Sequence, residues 1–98
     1  MYVRITRGQP KPGQIAELAK RWETHAAPRL QQVPGFQHAY FSGDITQNTA
    51  VAVSLWDEPP DTEAMNRAMK EFMGVLDDIT AGPPTIDTYE VLAQVQAR

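Results

Sequence analysis

Residues 36–56, FQHAYFSGDITQNTAVAVSLW, hold two apolar runs on either side of a polar loop. Phe36–Ser42 and Thr49–Trp56 are predicted strands, and the residues between them favour a hairpin turn. The second strand alternates Val and Leu on one side with Ala, Ser and Trp on the other. Neither side is strongly polar, so we expect both faces of this strand to be covered.

Predicted elements flank this hairpin on both sides. Upstream, Tyr2–Thr6 alternates like a strand and Gln14–Gln32 carries apolar residues at helical spacing. Downstream, Asp61–Thr80 is a predicted helix and Ile86–Val95 a predicted last strand. The order is that of the ferredoxin-like α+β fold, βαββαβ, with a four-stranded antiparallel sheet and two helices on one face. Residues 1–98 are therefore expected to form a single domain.

The ends and breaks of the two helices also have local signals. Pro28 lacks an amide donor and clashes with the preceding turn, so a kink or a restart is expected near Ala27. Asp61 or Thr62 can cap the second helix, and Gly82 is the expected point where it ends.

Composition and charge limit the classes of function. The 98 residues carry a formal net charge of −3, with basic residues scattered singly or in pairs, so no nucleic-acid partner is expected. The absence of cysteine excludes disulfides and thiolate chemistry and fits a cytoplasmic location. The first residues do not resemble a targeting peptide, and no apolar run approaches the roughly 20 residues of a membrane span.

Two short motifs refine the assignment. Val33-Pro34-Gly35-Phe36 is a helix-to-strand turn, and Ser54-Leu55-Trp56-Asp57 is a strand that ends in Trp before an acidic helix start. Together with the element order, they make the chain resemble the antibiotic biosynthesis monooxygenase-like domains of the dimeric α/β-barrel superfamily. The resemblance covers Tyr2 to about Val95.

The resemblance implies a homodimer whose two sheet faces meet to form a barrel, and a pocket between helices and sheet. It implies a cofactor-independent monooxygenase or isomerase that acts on a small aromatic or polyketide-like molecule. The alternative is a non-catalytic, ligand-binding or stress-related protein of the same fold; a purely structural dimerisation domain is a third reading. The haem-degrading branch is disfavoured, because it needs an Asn on the first strand and a Trp and a His on the second helix, which this chain lacks.

Three residues are candidates for catalysis. Strand alternation places Phe36, His38 and Tyr40 on one face. His38 lies mid-strand and could take a proton from a phenolic or enolic substrate, and Tyr40 could hydrogen-bond a substrate oxygen. His25 lies near the break expected at Pro28, where a pocket edge could form. The competing interpretations are a sheet or dimer-interface histidine for His38 and a solvated helix-end histidine for His25.

Apolar residues could line the pocket. Met and Phe side chains on the second helix could form adaptable walls, although such a stripe at helical spacing is more often core. The two tryptophans could close the core or line the pocket. The predicted lining is Trp22, Trp56, Met65, Met69 and Phe72, with Met73 beside them.

Charged residues suggest no further site. Arg4 lies on a strand that this fold places centrally, where Glu90 or Asp87 could pair with it; water or a dimer contact is the alternative. The two histidines have no acidic neighbours at metal-ligand spacing, so neither a metal site nor a cofactor site is predicted.

Overall fold

The computed structural model describes all 98 residues, and its element order is the predicted one. Four strands form one antiparallel sheet in the order β2-β3-β1-β4: β1 (Tyr2–Gly8), β2 (Phe36–Asp44), β3 (Thr49–Trp56) and β4 (Thr85–Glu90). Three helices accompany it: α1 (Ile15–Arg21), α2 (Ala27–Leu30) and α3 (Thr62–Met73). The predicted ferredoxin-like α+β fold is confirmed.

The strand register gives the sheet two different faces. Tyr2, Arg4, Thr6 and Gly8 of β1 are partners of the even-numbered residues of β3, from Trp56 to Ala50. Cross-strand partners share a face. Trp56 and Ala50 pack with helix residues, so this is the face that the helices cover. The opposite face, here called the open face, carries Val3, Ile5, Arg7, His38, Tyr40, Val51, Val53, Leu55 and Tyr89.

The core consists of two clusters between the helices and the sheet. One is formed by Leu30, Val33, Trp56, Met65 and Ala68, and the other by Leu18, Ala50, Leu76 and Ile79. All nine residues are less than a tenth exposed. None of the three helices has the length and hydropathy that a bilayer crossing requires.

The first helical region breaks where Pro28 predicted. A π-helical turn, Trp22–Ala26, joins α1 to α2, which restarts at Ala27 with Pro28 in its first turn. A proline is tolerated in the first turn of a helix, where its missing N–H has no intrahelical partner to lose. The wider π-helical turn also changes which side chains face the sheet, and Trp22 lines the cavity described below.

Helix α3 begins as predicted but ends earlier. The Asp61 carboxylate accepts from the backbone N–H of Ala64 at 2.9 Å, which caps the first turn. The helix ends at Met73, before Gly74, so the prediction that it reaches Thr80 and stops at Gly82 is wrong. Arg21 Nη1 donates to the carbonyl of Val75 at 2.8 Å and so satisfies one carbonyl beyond the helix end.

The apolar stripe nevertheless continues past the end of α3. Leu76 and Ile79 lie in the segment of turns that follows α3, and both are buried because this segment packs against the sheet. Hydrogen bonds from Lys11 N to Ile79 O and from Ala81 N to Gln9 O tie this segment to the chain before α1. Apolar spacing alone could not distinguish these packed turns from a fourth turn of helix.

Strand β4 is shorter than the predicted Ile86–Val95. It ends at Glu90, the partner of Tyr2 at the start of β1, and one further hydrogen bond joins Val91 N to Met1 O. Leu92 and Val95 are 89% and 93% exposed in the single chain.

A β-bulge reverses the predicted side of Phe36. Phe36 pairs with Trp56 and His38 pairs with Leu55, so β2 has one extra residue, Gln37, against β3. Phe36 therefore lies with Trp56 on the helix-covered face, with the ring centroids 5.3 Å apart in an edge-on arrangement. The sequence alternation placed Phe36 with His38, which is wrong because the bulge interrupts the two-residue period.

Candidate functional site

A cavity of about 680 Å³ lies between the helices and the covered face of the sheet. Its walls include Leu30 and Met65 of one core cluster and Leu18 and Leu76 of the other, so the cavity borders both clusters. The exposed members of its lining are on α3 and just after it (Asn66, Met73 and Asp77), in residues 81–83 and on β4 (Ile86). The cavity therefore opens to solvent between these elements.

The walls of the cavity are mostly apolar and partly aromatic. Trp22 and Phe41 lie with ring centroids 5.7 Å apart at a tilt of 43°. Of the residues predicted to line a pocket, Trp22, Met65, Met69 and Phe72 do lie in the wall, as does Met73. Trp56 does not, because its side chain is completely buried in the core. Whether these residues contact a ligand stays a prediction.

The floor of the cavity is polar and is formed by β1 and β3. Arg4, Thr6 and Ser54 lie there on the covered face. Arg4 is half-buried, and it donates from Nη1 to Thr6 Oγ1 at 3.3 Å. Burial lowers the pKa of the Arg4 guanidinium, because desolvation disfavours its charged form.

The predicted ion pair of Arg4 is not formed. No carboxylate lies within 4.0 Å of its guanidinium. Asp87 instead pairs with Arg7 at 3.4 Å, since both residues lie on the open face. Glu90 is exposed at the end of β4 and contacts no arginine.

His38 and Tyr40 lie outside the cavity. Both are exposed and both belong to the open face, opposite the cavity floor, with Tyr40 59% exposed. Their catalytic role stays a prediction, and it would require chemistry on the open face of the sheet.

His25 lies on the outer side of the helices, in a polar cluster that joins the π-helical turn to α3. Its Nδ1 is 2.7 Å from Glu71 Oε2, and Arg29 donates to Glu71 Oε1 at 3.3 Å. These hydrogen bonds, first that of His25 and then that of Arg29, lower the pKa of the Glu71 carboxyl. The cluster is solvent-exposed and separate from the cavity lining, so His25 contacts Glu71 and not the cavity; its catalytic role also stays a prediction.

A second polar cluster holds the end of α1 against the turns after α3. Arg21 Nη1 contacts Asp78 Oδ1 at 2.8 Å, and Arg21 Nε contacts Glu17 Oε1 at 3.0 Å. The hydrogen bond from Arg21 lowers the pKa of the Asp78 carboxyl. Asp78 is thus part of an ion-pair network that supports the cavity wall from outside.

No group of three His, Asp or Glu side chains lies close enough to hold a metal ion. The cavity lining contains no histidine or tyrosine, and its only charged residues are Arg4 and Asp77, the latter exposed. The cavity can thus hold an apolar molecule and offer it hydrogen-bond donors.

The sequence did not predict that Arg4, Thr6 and Ser54 form the polar floor of a cavity. The alternation of β1 correctly set Arg4 and Thr6 apart from Val3 and Ile5, but it could not show which side faces the helices. Ser54 had a signal, since it is a polar residue among Ala50, Ala52 and Trp56 on one side of β3.

Comparisons with known proteins identify the fold. No family model matches the chain, and no curated protein matches it. A protein of unknown function from Nitrosomonas europaea superposes with a TM-score of 0.71 at 19% identity, over 99% of this chain and 94% of that chain. SnoaB, a cofactor-independent oxygenase from Streptomyces nogalater, gives a TM-score of 0.72 at 16% identity, over 98% and 97%.

A third structure, from Bordetella bronchiseptica and assigned as an antibiotic biosynthesis monooxygenase, gives a TM-score of 0.76 at 14% identity, over 94% of this chain and 97% of that chain. The superpositions cover almost the whole of each chain, while the identities are low. They show the fold: this chain has the fold of the antibiotic biosynthesis monooxygenase-like proteins.

Proposed function

We propose that the protein binds a small aromatic or polyketide-like molecule in the helix–sheet cavity and acts on it as a cofactor-independent monooxygenase, as a homodimer in the cytoplasm. The cavity of about 680 Å³ carries the proposal. Its volume falls in the range of small-molecule sites, and its walls combine aromatic rings with flexible thioethers.

A cofactor-free oxygenation is chemically possible for such a ligand. In an anthrone, the two ring systems and the carbonyl stabilise the carbanion left when a proton leaves the CH₂ group. That carbanion can give electrons to O₂ directly. One oxygen atom becomes the new carbonyl and the other leaves as water, so anthrone plus O₂ gives anthraquinone plus H₂O. The protein would bind the substrate and restrict water at the reacting carbon.

The alternative is a non-catalytic binding protein, and one observation favours it. Neither histidine lines the cavity, and none of the three tyrosines does. Proton removal from a bound substrate therefore lacks the side chain that most often performs it.

The homodimer is supported by the open face. Val3, Ile5, Val53 and Leu55 form an apolar centre on this face, with Tyr40 and Tyr89 more than half exposed beside them. The helices cover only the other face. A second copy of the chain, packed sheet to sheet, would bury the exposed surface.

The test uses 1,8-dihydroxyanthrone as the substrate probe. Binding is measured in the absence of oxygen by quenching of tryptophan fluorescence, and turnover by oxygen uptake and quinone absorbance above a protein-free control. Ala52→Phe, which fills the cavity floor, should abolish binding. The matched control Ala16→Phe, on the exposed side of α1, should not. Binding with turnover supports the enzyme, binding without turnover supports the alternative, and no binding contradicts both.

A further inference from the structure

Arg4 differs from the other arginines of the folded domain in its surroundings. Arg7, Arg21, Arg29 and Arg67 each lie within 4.0 Å of a carboxylate, at the protein surface or partly buried. Arg4 lies on a central strand, lines an apolar cavity and has no carboxylate within that distance. A half-buried guanidinium without a counter-charge is costly for a fold, which makes its position informative.

The two hydroxyls beside Arg4 each accept a hydrogen bond within the protein and can still donate one to a ligand. Thr6 Oγ1 accepts from Arg4, and Ser54 Oγ accepts from Trp56 Nε1 at 2.8 Å. Neither hydroxyl donates a hydrogen bond within the protein, so each retains a proton for a ligand. Arg4 and Ser54 are direct cross-strand partners, which brings these donors together on the cavity floor.

The rest of the cavity lining brings no carboxylate within 4.0 Å of Arg4. Asp77 is the only carboxylate in the lining, and it is exposed on the turns after α3. Asn66 and Thr80, the other polar side chains of the lining, are uncharged and lie on α3 and after it. A ligand on the floor therefore meets one cation and two hydroxyl donors, with mostly apolar walls around it. The complement of this surface is an apolar body with one anionic oxygen group at its end.

We propose that the cavity selects an aromatic carboxylate, whose acid group lies on Arg4, Thr6 and Ser54 and whose rings lie between Trp22 and Phe72. The planar guanidinium matches the two oxygens of a carboxylate, and such charge-assisted pairs are stronger than neutral hydrogen bonds. A phosphate ester fits less well, because it would bring up to two charges to a single cation. This proposal rests on the proposed function, since it specifies the ligand of the same cavity.

The test compares two probes of the same shape, anthraquinone-2-carboxylate and anthraquinone-2-carboxamide, by calorimetric titration at neutral pH. We expect the full-length protein to bind the carboxylate about tenfold to a hundredfold more tightly, the range of a charge-assisted hydrogen bond. In Arg4→Gln this preference should disappear, while the carboxamide binds about as before. Arg7→Gln, on the same strand but on the open face, is the matched control and should keep the preference.

The outcomes separate the two proposals. Equal affinity of the wild-type protein for both probes would overturn the carboxylate inference and leave the proposed function intact. Failure of both probes to bind at millimolar concentration would overturn both. If Arg4→Gln still binds the carboxylate more tightly than the carboxamide, other residues cause this preference and the role of Arg4 is contradicted. The wild-type comparison needs no variant, so the test holds even if Arg4→Gln does not fold.

Discussion

The indole N–H of Trp56 donates a hydrogen bond of 2.8 Å to the hydroxyl of Ser54, two residues earlier on the same strand. Trp56 is completely buried and packs edge-on against Phe36, whereas Ser54 lines the cavity beside Arg4. One hydrogen bond thus connects the core to the floor of the cavity. The tryptophan has a structural role here, and the serine connects it to the candidate site.

Ser54→Ala should therefore destabilise the protein. It leaves the buried indole N–H of Trp56 without a partner, which costs about 1–3 kcal/mol. Urea unfolding followed by circular dichroism measures the loss. Ser42→Ala, on the exposed part of β2, is the control and should change the free energy of unfolding little. An equal effect of the two substitutions would show that the hydrogen bond contributes nothing specific.

Comparing His38→Ala with Trp22→Ala tests which face of the sheet binds the probe. Because His38 lies on the open face, we expect its removal to leave the affinity of the cavity for the anthrone probe within about twofold of the wild type. Trp22→Ala, which removes a wall of the cavity, should weaken binding by more than about tenfold.

The same pair of variants examines the catalytic role predicted for His38. Because His38 lies on the face opposite the cavity, His38→Ala should also leave turnover of the cavity-bound probe unchanged, and a loss of turnover would place the chemistry on the open face. A loss of affinity itself would contradict the placement of the cavity on the other face.

The fold could be predicted because its signals are local. Strand alternation, apolar spacing in the helices and the break at Pro28 all act within a few residues, and each appears in the structure, with the β-bulge at Gln37 as the exception to the alternation. The end of α3 was missed because the apolar spacing continues to Ile79, although Gly74 was a local signal for the helix end. The contact that holds the segment after the helix, from Arg21 to the carbonyl of Val75, spans 54 positions and has no local signal. The end of β4 at Glu90 depends on its pairing with Tyr2, which is also a long-range contact.

The site was harder to predict because it depends on which face of the sheet the helices cover. Histidine and tyrosine side chains often take part in catalysis. The positions of His38 and Tyr40 along β2, however, put them on the face of the sheet opposite the cavity. Arg4 was noticed and given a carboxylate partner, since a central-strand arginine usually has one. The structure shows that it lacks this partner, and no spacing in the sequence reveals a missing contact.

Ile5→Lys should dissociate the proposed dimer into monomers. Ile5 lies at the centre of the open face, between Val53 and Asp87 on its neighbouring strands, so a sheet-to-sheet dimer would bury the new charge. Sedimentation equilibrium at micromolar concentration should give twice 10.9 kDa for the wild type and 10.9 kDa for the variant. Ile45→Lys, at a hairpin position that is 81% exposed, should remain dimeric. A monomeric wild type would contradict the dimer directly.

Acid should destabilise the protein through the Arg21–Asp78 contact. The hydrogen bond from Arg21 holds the pKa of Asp78 below its usual range in the folded state, so the unfolded chain binds a proton more readily. The resulting stabilisation is fully present above the ordinary carboxyl pKa, about 4, and is lost as the pH falls towards the lowered value. Glu71, whose pKa is lowered by His25 and then Arg29, acts in the same direction.

Asp78→Asn should therefore be less stable than the wild type at pH 7, and its free energy of unfolding should fall less steeply below about pH 4. Urea titrations at a series of pH values give both quantities. Glu63→Gln is the matched control, because the Glu63 carboxylate lies 4.0 Å from Arg67 and both side chains are strongly exposed. Its pH profile should follow that of the wild type. Parallel profiles for Asp78→Asn and the wild type would mean that Arg21 holds the turns after α3 through the Val75 carbonyl alone, without a contribution from the Asp78 charge.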